Sequence, residues 1–263
     1  MRQKNIFLYY IASLFTLLIS LQPTASYAGL RLEQNRIIWQ GGQAQQSMTL
    51  TNSNTDVYLV QTGVFPSPTG QKEVPEFVVI PPLFHLDSNS QQAMKILPQN
   101  SLDNLPKDRE SIFYFSTLAI PGVSQELINS DAAQLSIGTR LVIKLFYRPT
   151  KLSYSSEIAI EKLKFSTSSN GLCIINDSPY FITLSNLSIK NMVINDAIGL
   201  MVSPYSQQKV SVSSRLEPNT KIDWQAINDY GGDTQVNSGS IIENKGGHVS
   251  SKKFMGFLLY YQC

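Results

Sequence analysis

The chain has 263 residues, with 21 Lys+Arg against 19 Asp+Glu and a formal net charge of +2. That near-balance argues against nucleic acid or an anionic membrane as the main partner, since both demand a cationic excess. With 42% hydrophobic residues, 12 Tyr and 12 Phe, the chain can bury a sizeable core, and its length suits two domains better than one.

Arg2 and Lys4 open a positive stretch, residues 6–21 are mostly apolar, and Ser26-Tyr27-Ala28 offers small residues for cleavage. This predicts an export signal over residues 1–28; the apolar stretch is short for a membrane span. Its removal takes two of the 21 cations and no acids, leaving 19 charges of each sign. No later stretch is apolar enough to cross a bilayer, so a soluble, exported protein is expected. From residue 30 onward, alternating apolar runs fall at 47–51, 57–64, 77–80, 93–97, 112–118 and 135–147. They resume at 163–166, 180–188, 209–212, 222–227 and 254–261. Turn signals such as Gly41-Gly42, Thr69-Gly70, Gly231-Gly232 and Gly246-Gly247 separate the runs. No window sustains a 3.6-residue period, so the expected fold is all-β. Two sets of strands at this spacing predict two immunoglobulin-like β-sandwich domains, over 29–149 and 150–263. The boundary follows Pro149, where residues 150–157 turn polar and serine-rich.

Residues 134–149 read as one long strand. Leu135, Ile137, Leu141, Ile143, Leu145 and Tyr147 share one parity; Val142, Lys144, Phe146 and Arg148 share the other. A lysine between apolar neighbours is costly unless it has a partner or an exit to water. Arg36, ahead of Ile37-Ile38-Trp39, poses the same question. Each cation can snorkel to solvent at a strand edge, or serve a ligand. Leu135 and Ile137 run on beyond the lysine-bearing half. An apolar strand end of that kind is an aggregation hazard, retained where another chain pairs with it or where it covers the domain's own core.

Chemistry-bearing constellations are sparse. The two cysteines, Cys173 and Cys263, favour a disulfide in an exported chain over two buried thiols. With no histidines nearby they do not make a zinc site. The histidines are His85 and His248, in different predicted domains, with no HExxH, CxxC or phosphate-binding glycine loop. His85 reads as a surface residue at a strand end. Asp87, Asp103 and Asp108 fall in polar, loop-like stretches and do not suggest paired catalytic carboxylates. No enzyme, cofactor or metal is expected.

Six segments in order carry a resemblance. They are Leu32-Glu-Gln-Asn-Arg-Ile-Ile-Trp39, Ile80-Pro-Pro-Leu-Phe84, Leu105-Pro-Lys-Asp-Arg-Glu-Ser-Ile-Phe-Tyr-Phe115, Asn176-Asp-Ser-Pro-Tyr-Phe-Ile-Thr183, Met201-Val-Ser-Pro-Tyr-Ser206 and Ile227-Asn-Asp-Tyr-Gly231. With Ile143-Lys-Leu-Phe-Tyr-Arg-Pro149, they resemble the PapD-like periplasmic chaperones of the chaperone/usher pilus pathway. The resemblance implies two immunoglobulin-like domains in a boomerang, or L-shaped, arrangement. It places Arg36 and Lys144 side by side in the interdomain cleft, binding the terminal carboxylate of an unassembled pilus subunit through charge-assisted hydrogen bonds. It makes Leu135, Ile137 and Thr139 a donor strand that fills the groove of a subunit lacking its own last strand, a form of β-augmentation. Thr139, beside Gly138, stands where the family usually has a bulky apolar residue. Glu110, Arg148 and Asp229 fall on positions of a buried interdomain charge network, whose contribution is to fix the angle between domains. With no cysteine ahead of Cys173 and a moderate loop over 122–134, the chain resembles the short-loop kind. The partners implied are fimbrial subunits and an outer-membrane usher, in the periplasm and without a cofactor. A fimbrial subunit or adhesin, or an exported β-rich hydrolase, are the competing readings.

Overall fold

The computed structural model describes residues 29–122, 137–168, 171–212 and 215–243. The predicted export signal, Leu135, His248, the run 254–261 and Cys263 lie outside the described residues.

The first half folds as β1 (Leu30–Leu32), β2 (Arg36–Gln40), β3 (Gln46–Asn52), β4 (Tyr58–Phe65), β5 (Phe77–Ile80), β6 (Leu83–Leu86), β7 (Ser90–Pro98), β8 (Ser111–Pro121) and β9 (Thr139–Arg148). One sheet runs β1-β3-β7-β5 and the other β2-β9-β8-β4-β6. Between them lies a core that includes Ile37, Trp39, Met48, Leu50, Val60, Phe77, Ile96, Phe115 and Leu145. Removing each such side chain from water contributes about 1.5–3 kcal/mol, set against the entropy of ordering it. Trp39 meets Phe77 edge-on at 5.1 Å and so links the two sheets.

The segment Leu32–Trp39 spans two strands in different sheets. Glu33, Gln34 and Asn35 are exposed polar residues with no place in the core, and the chain crosses between the sheets there. The long strand expected over 135–147 is corrected, because β9 starts at Thr139 and Ile137 precedes it outside the ladder. Gly138 is a weak strand former, and Pro121, which ends the neighbouring β8, lacks an N–H to extend the pairing.

A six-residue helix α1 (Ser156–Glu161), which the sequence reading did not anticipate, begins at the end of the polar stretch 150–157 and is held by buried Ala159 and Ile160. The second half continues with β10 (Lys164–Ser168), β11 (Gly171–Asn176), β12 (Ile182–Ile189), β13 (Met192–Val193), β14 (Met201–Val202), β15 (Ser206–Ser211), β16 (Lys221–Ala226) and β17 (Asn237–Ser240). One sheet is β10-β11-β15; the other runs β13-β12-β16-β17, with β14 beside β12. A separate core forms around Phe165, Leu172, Ile174, Leu184, Leu187, Ile222 and Trp224. No helix among the described residues is long and apolar enough to cross a membrane.

Candidate functional site: a basic cleft between the domains

The strand period of two decides which side chains reach the cleft. On β9, Leu141, Ile143, Leu145 and Tyr147 pack on the first core, so Val142, Lys144, Phe146 and Arg148 face the other way. On β2, Ile37 and Trp39 enter the core and Arg36 and Ile38 face outward. The cleft is lined by Arg36, Ile38, Phe146 and Arg148 from one domain and by Tyr180, Phe181, Ile227 and Asp229 from the other.

β2 lies parallel to β9, with Arg36 directly opposite Lys144. The structure thus brings together two cations that are far apart in sequence. Both are half-buried. Arg36 Nη1 donates to the Ile227 carbonyl at 3.0 Å, and its Nε is buried without an acceptor among the described residues. Lys144 Nζ donates to Thr183 Oγ1 at 3.3 Å, and no carboxylate among the described residues pairs with it. Burial pushes the Lys144 ammonium below the usual lysine range, and the Arg36 charge adds to that push. Burial likewise lowers Arg36, against the distant pull of Asp229 and Glu110. The pair is a site short of negative charge.

Glu110, Arg148 and Asp229 also meet. Arg148 Nε donates to Glu110 Oε1 at 2.8 Å, while Nη1 and Nη2 donate to the two oxygens of Asp229 at 2.6 and 2.8 Å. The Arg148 and Glu110 side chains are 11% and 2% exposed. Glu110 Oε2 accepts the Phe181 backbone N–H at 2.9 Å, and Ser156 Oγ donates to Asp229 at 3.0 Å. Burial pushes the Glu110 carboxyl up, further than Arg148 and the Phe181 amide draw it down. Burial would also raise Asp229, but the Arg148 hydrogen bonds outweigh it and hold that carboxyl below its ordinary value. Arg148 itself is raised, its two carboxylates overcoming desolvation.

Of the expected donor residues, Thr139 opens β9 on the exposed edge and Ile137 is 72% exposed. Cys173 lies on β11, wholly buried, and no free cysteine occurs among the described residues. His85 is exposed on β6 beside Asp87 at 3.2 Å, as a surface strand residue. Sequence reasoning did not single out Thr183 or Asn35. Thr183 ends one of the recognised segments, and Asn35 lies inside another, donating its Nδ2 to the Gly231 carbonyl at 2.9 Å.

Comparison with known proteins decides the family. The family model for the pili and flagellar-assembly chaperone PapD N-terminal domain matches residues 29–153, and that for the pili assembly chaperone PapD C-terminal domain matches 158–238. The chain belongs to the pili-assembly chaperone family. Among its relatives, chaperone protein FimC of Escherichia coli K12 is 35% identical over 205 residues, 78% of this chain and 81% of FimC. The probable fimbrial chaperone protein ElfD of Escherichia coli O157:H7 is 33% identical, covering 84% of this chain and 92% of ElfD. The crystal structure of the periplasmic chaperone SfaE superposes with a TM-score of 0.65 at 29% identity, over 82% of this chaperone and all of SfaE. The two β-sandwiches therefore form the boomerang of this family. Membership sets aside the readings as a fimbrial subunit or a hydrolase, because the family consists of chaperones and not enzymes.

Proposed function

We propose that this chaperone acts in the periplasm, where it captures fimbrial subunits on the free edge of β9, prevents their premature polymerisation and delivers them to an outer-membrane usher. One observation carries this reading: the edge of β9 opens at the two under-satisfied cations. On one side β9 is paired with β8 throughout, from Thr139 to Tyr147. On the other side β2 covers only Lys144 to Arg148. Among the described residues, no strand lies against Thr139 to Ile143 on that second edge. A subunit strand laid there parallel to β9 would be collinear with β2 and end against Arg36. Its terminal carboxylate would meet Lys144 Nζ and the unpartnered Arg36 Nε in charge-assisted hydrogen bonds. Upstream, Leu135, Ile137 and Thr139 would supply side chains to the subunit groove, as donor-strand pairing requires.

The Glu110–Arg148–Asp229 network holds the angle at which the second domain presents Thr183 and Ile227 to this site. A Cys173–Cys263 bridge belongs to the same reading. Leu172 and Ile174 take the core positions of β11, yet Cys173 between them is wholly buried on the opposite face. Release would come from replacing the lent strand by a better-fitting one, with no nucleotide involved. The test is co-purification of a fimbrial subunit with the mature chaperone and with its folded Lys144→Ala variant. Undiminished capture by the variant would overturn the anchor.

A further inference from the structure

The turn that carries Asp229 also displays a tyrosine that the charge network does not use. Tyr230 is 94% exposed. An isolated exposed aromatic needs no explanation on a mobile loop. This turn, however, is braced from within and gripped from outside. Asn228 Oδ1 accepts the backbone N–H groups of Tyr230 and Gly232 at 3.0 and 3.1 Å. Asn228 N donates to the Gly232 carbonyl at 2.8 Å, closing the turn. Three side chains of the first domain hold it: Asn35 on the Gly231 carbonyl, Arg36 on the Ile227 carbonyl and Arg148 on Asp229. Gly231 has φ +85°, which favours glycine, and a Cβ there would lie 1.9 Å from Asn35 Oδ1 and displace that side chain from the turn.

Arg36 begins β2 and Asn35 immediately precedes it, where the open edge of β9 ends. The braced turn therefore stands at the carboxy-terminal end of any strand docked on that edge. A ring held on a rigid turn has few rotamers to lose on docking, the property that makes tyrosine an effective contact residue.

We propose that Tyr230 is a further subunit-contact residue, its ring packing on apolar side chains among the last residues of the captured subunit strand. The inference rests on the reading of Arg36 and Lys144 as the carboxylate anchor. It adds to that charge-based site a preference for apolar client termini.

The experiment measures the affinity of an intact fimbrial subunit for the wild-type chaperone and for Tyr230→Ala, Tyr230→Phe and Lys144→Ala. The expected result is about a tenfold loss for Tyr230→Ala, near-complete recovery in Tyr230→Phe, and unchanged thermal stability of both free proteins. Binding by Tyr230→Ala within about twofold of wild type, beside a Lys144→Ala protein that does not bind, overturns this inference and leaves the anchor standing. Normal capture with failed handover to usher-containing membranes would assign Tyr230 to the usher and overturn it equally. Normal binding by Lys144→Ala would remove the anchor and this inference with it.

Discussion

Lys144 and Arg148 lie four residues, two strand repeats, apart on the same face of β9, and their surroundings differ. Arg148 has a carboxylate on each side of its guanidinium, and Glu110 is in turn held by a backbone amide. Lys144 has a threonine hydroxyl and a neighbouring arginine. The guanidinium is raised above its ordinary value and the ammonium lowered below its own. A buried cation with its anions supplied is part of the joint between domains. A half-buried cation beside another, with no anion, is tolerated only because it keeps access to water, and it is the arrangement that an incoming carboxylate relieves. The same strand thus carries a finished ion pair and an unfinished one.

The strongest way to break this contrast is to remove the unfinished half. Lys144→Ala and Arg36→Ala should each abolish subunit capture, read by co-purification, while free Lys144→Ala melts no lower than wild type and Arg36→Ala, which also loses the Ile227 hydrogen bond, stays folded. Both changes delete a like-charge neighbour. If both proteins fail to fold, the pair is structural and the contrast collapses.

A control on global stability comes next. Reducing the proposed Cys173–Cys263 bridge should loosen the second domain by on the order of 4 kcal/mol in the chain-entropy model, less any strain. Thiol counting by mass spectrometry on periplasm-purified protein checks the bridge, and two free thiols would end the proposal. The first domain, and with it both cations, should melt as before.

The finished pair should respond in the opposite sense to the unfinished one. Asp229→Ala leaves Arg148 with Glu110 alone and should lower stability by about 2–3 kcal/mol. That lies toward the low end for a broken buried pair, because 26% of the Asp229 side chain remains exposed. Denaturant unfolding measures it, and an unchanged midpoint would mean that the network contributes orientation without stability. Subunit affinity should fall as well, because Asp229 stands on the turn gripped by Arg36.

How much of this could be read in advance follows from what local sequence encodes. The parity of β9 was legible, since alternation alone places Lys144 with Phe146 and Arg148 and opposite Leu145. The partnership of Arg36 with Lys144 was not, because parallel pairing of two strands so distant along the chain leaves no local signal. It was reached through the resemblance of segments. β11 went unnoticed because Leu172, Cys173 and Ile174 are all buried, and a strand covered on both faces shows no alternation. α1 is too short to display a helical period. Thr183 and Asn35 act across the domain boundary, and the contacts that define them exist only once the domains meet.

The smallest expected effect sharpens the contrast furthest, because it reads the Lys144 proton directly. In the free chaperone, burial and then Arg36 hold the ammonium below its ordinary value. Between the lowered folded value and the unfolded one, the unfolded chain binds more protons, so the free chaperone gains stability as pH rises through that window. A subunit carboxylate favours the charged lysine and draws its titration back up. Capture therefore takes up a proton in the same window, and affinity should fall as pH rises through it. Titration calorimetry in buffers of different ionisation enthalpy measures the uptake. Arg148, already raised by its carboxylates, should contribute nothing to that slope. A wild-type affinity flat across the window would mean that the carboxylate does not reach Lys144, whatever the capture assays show.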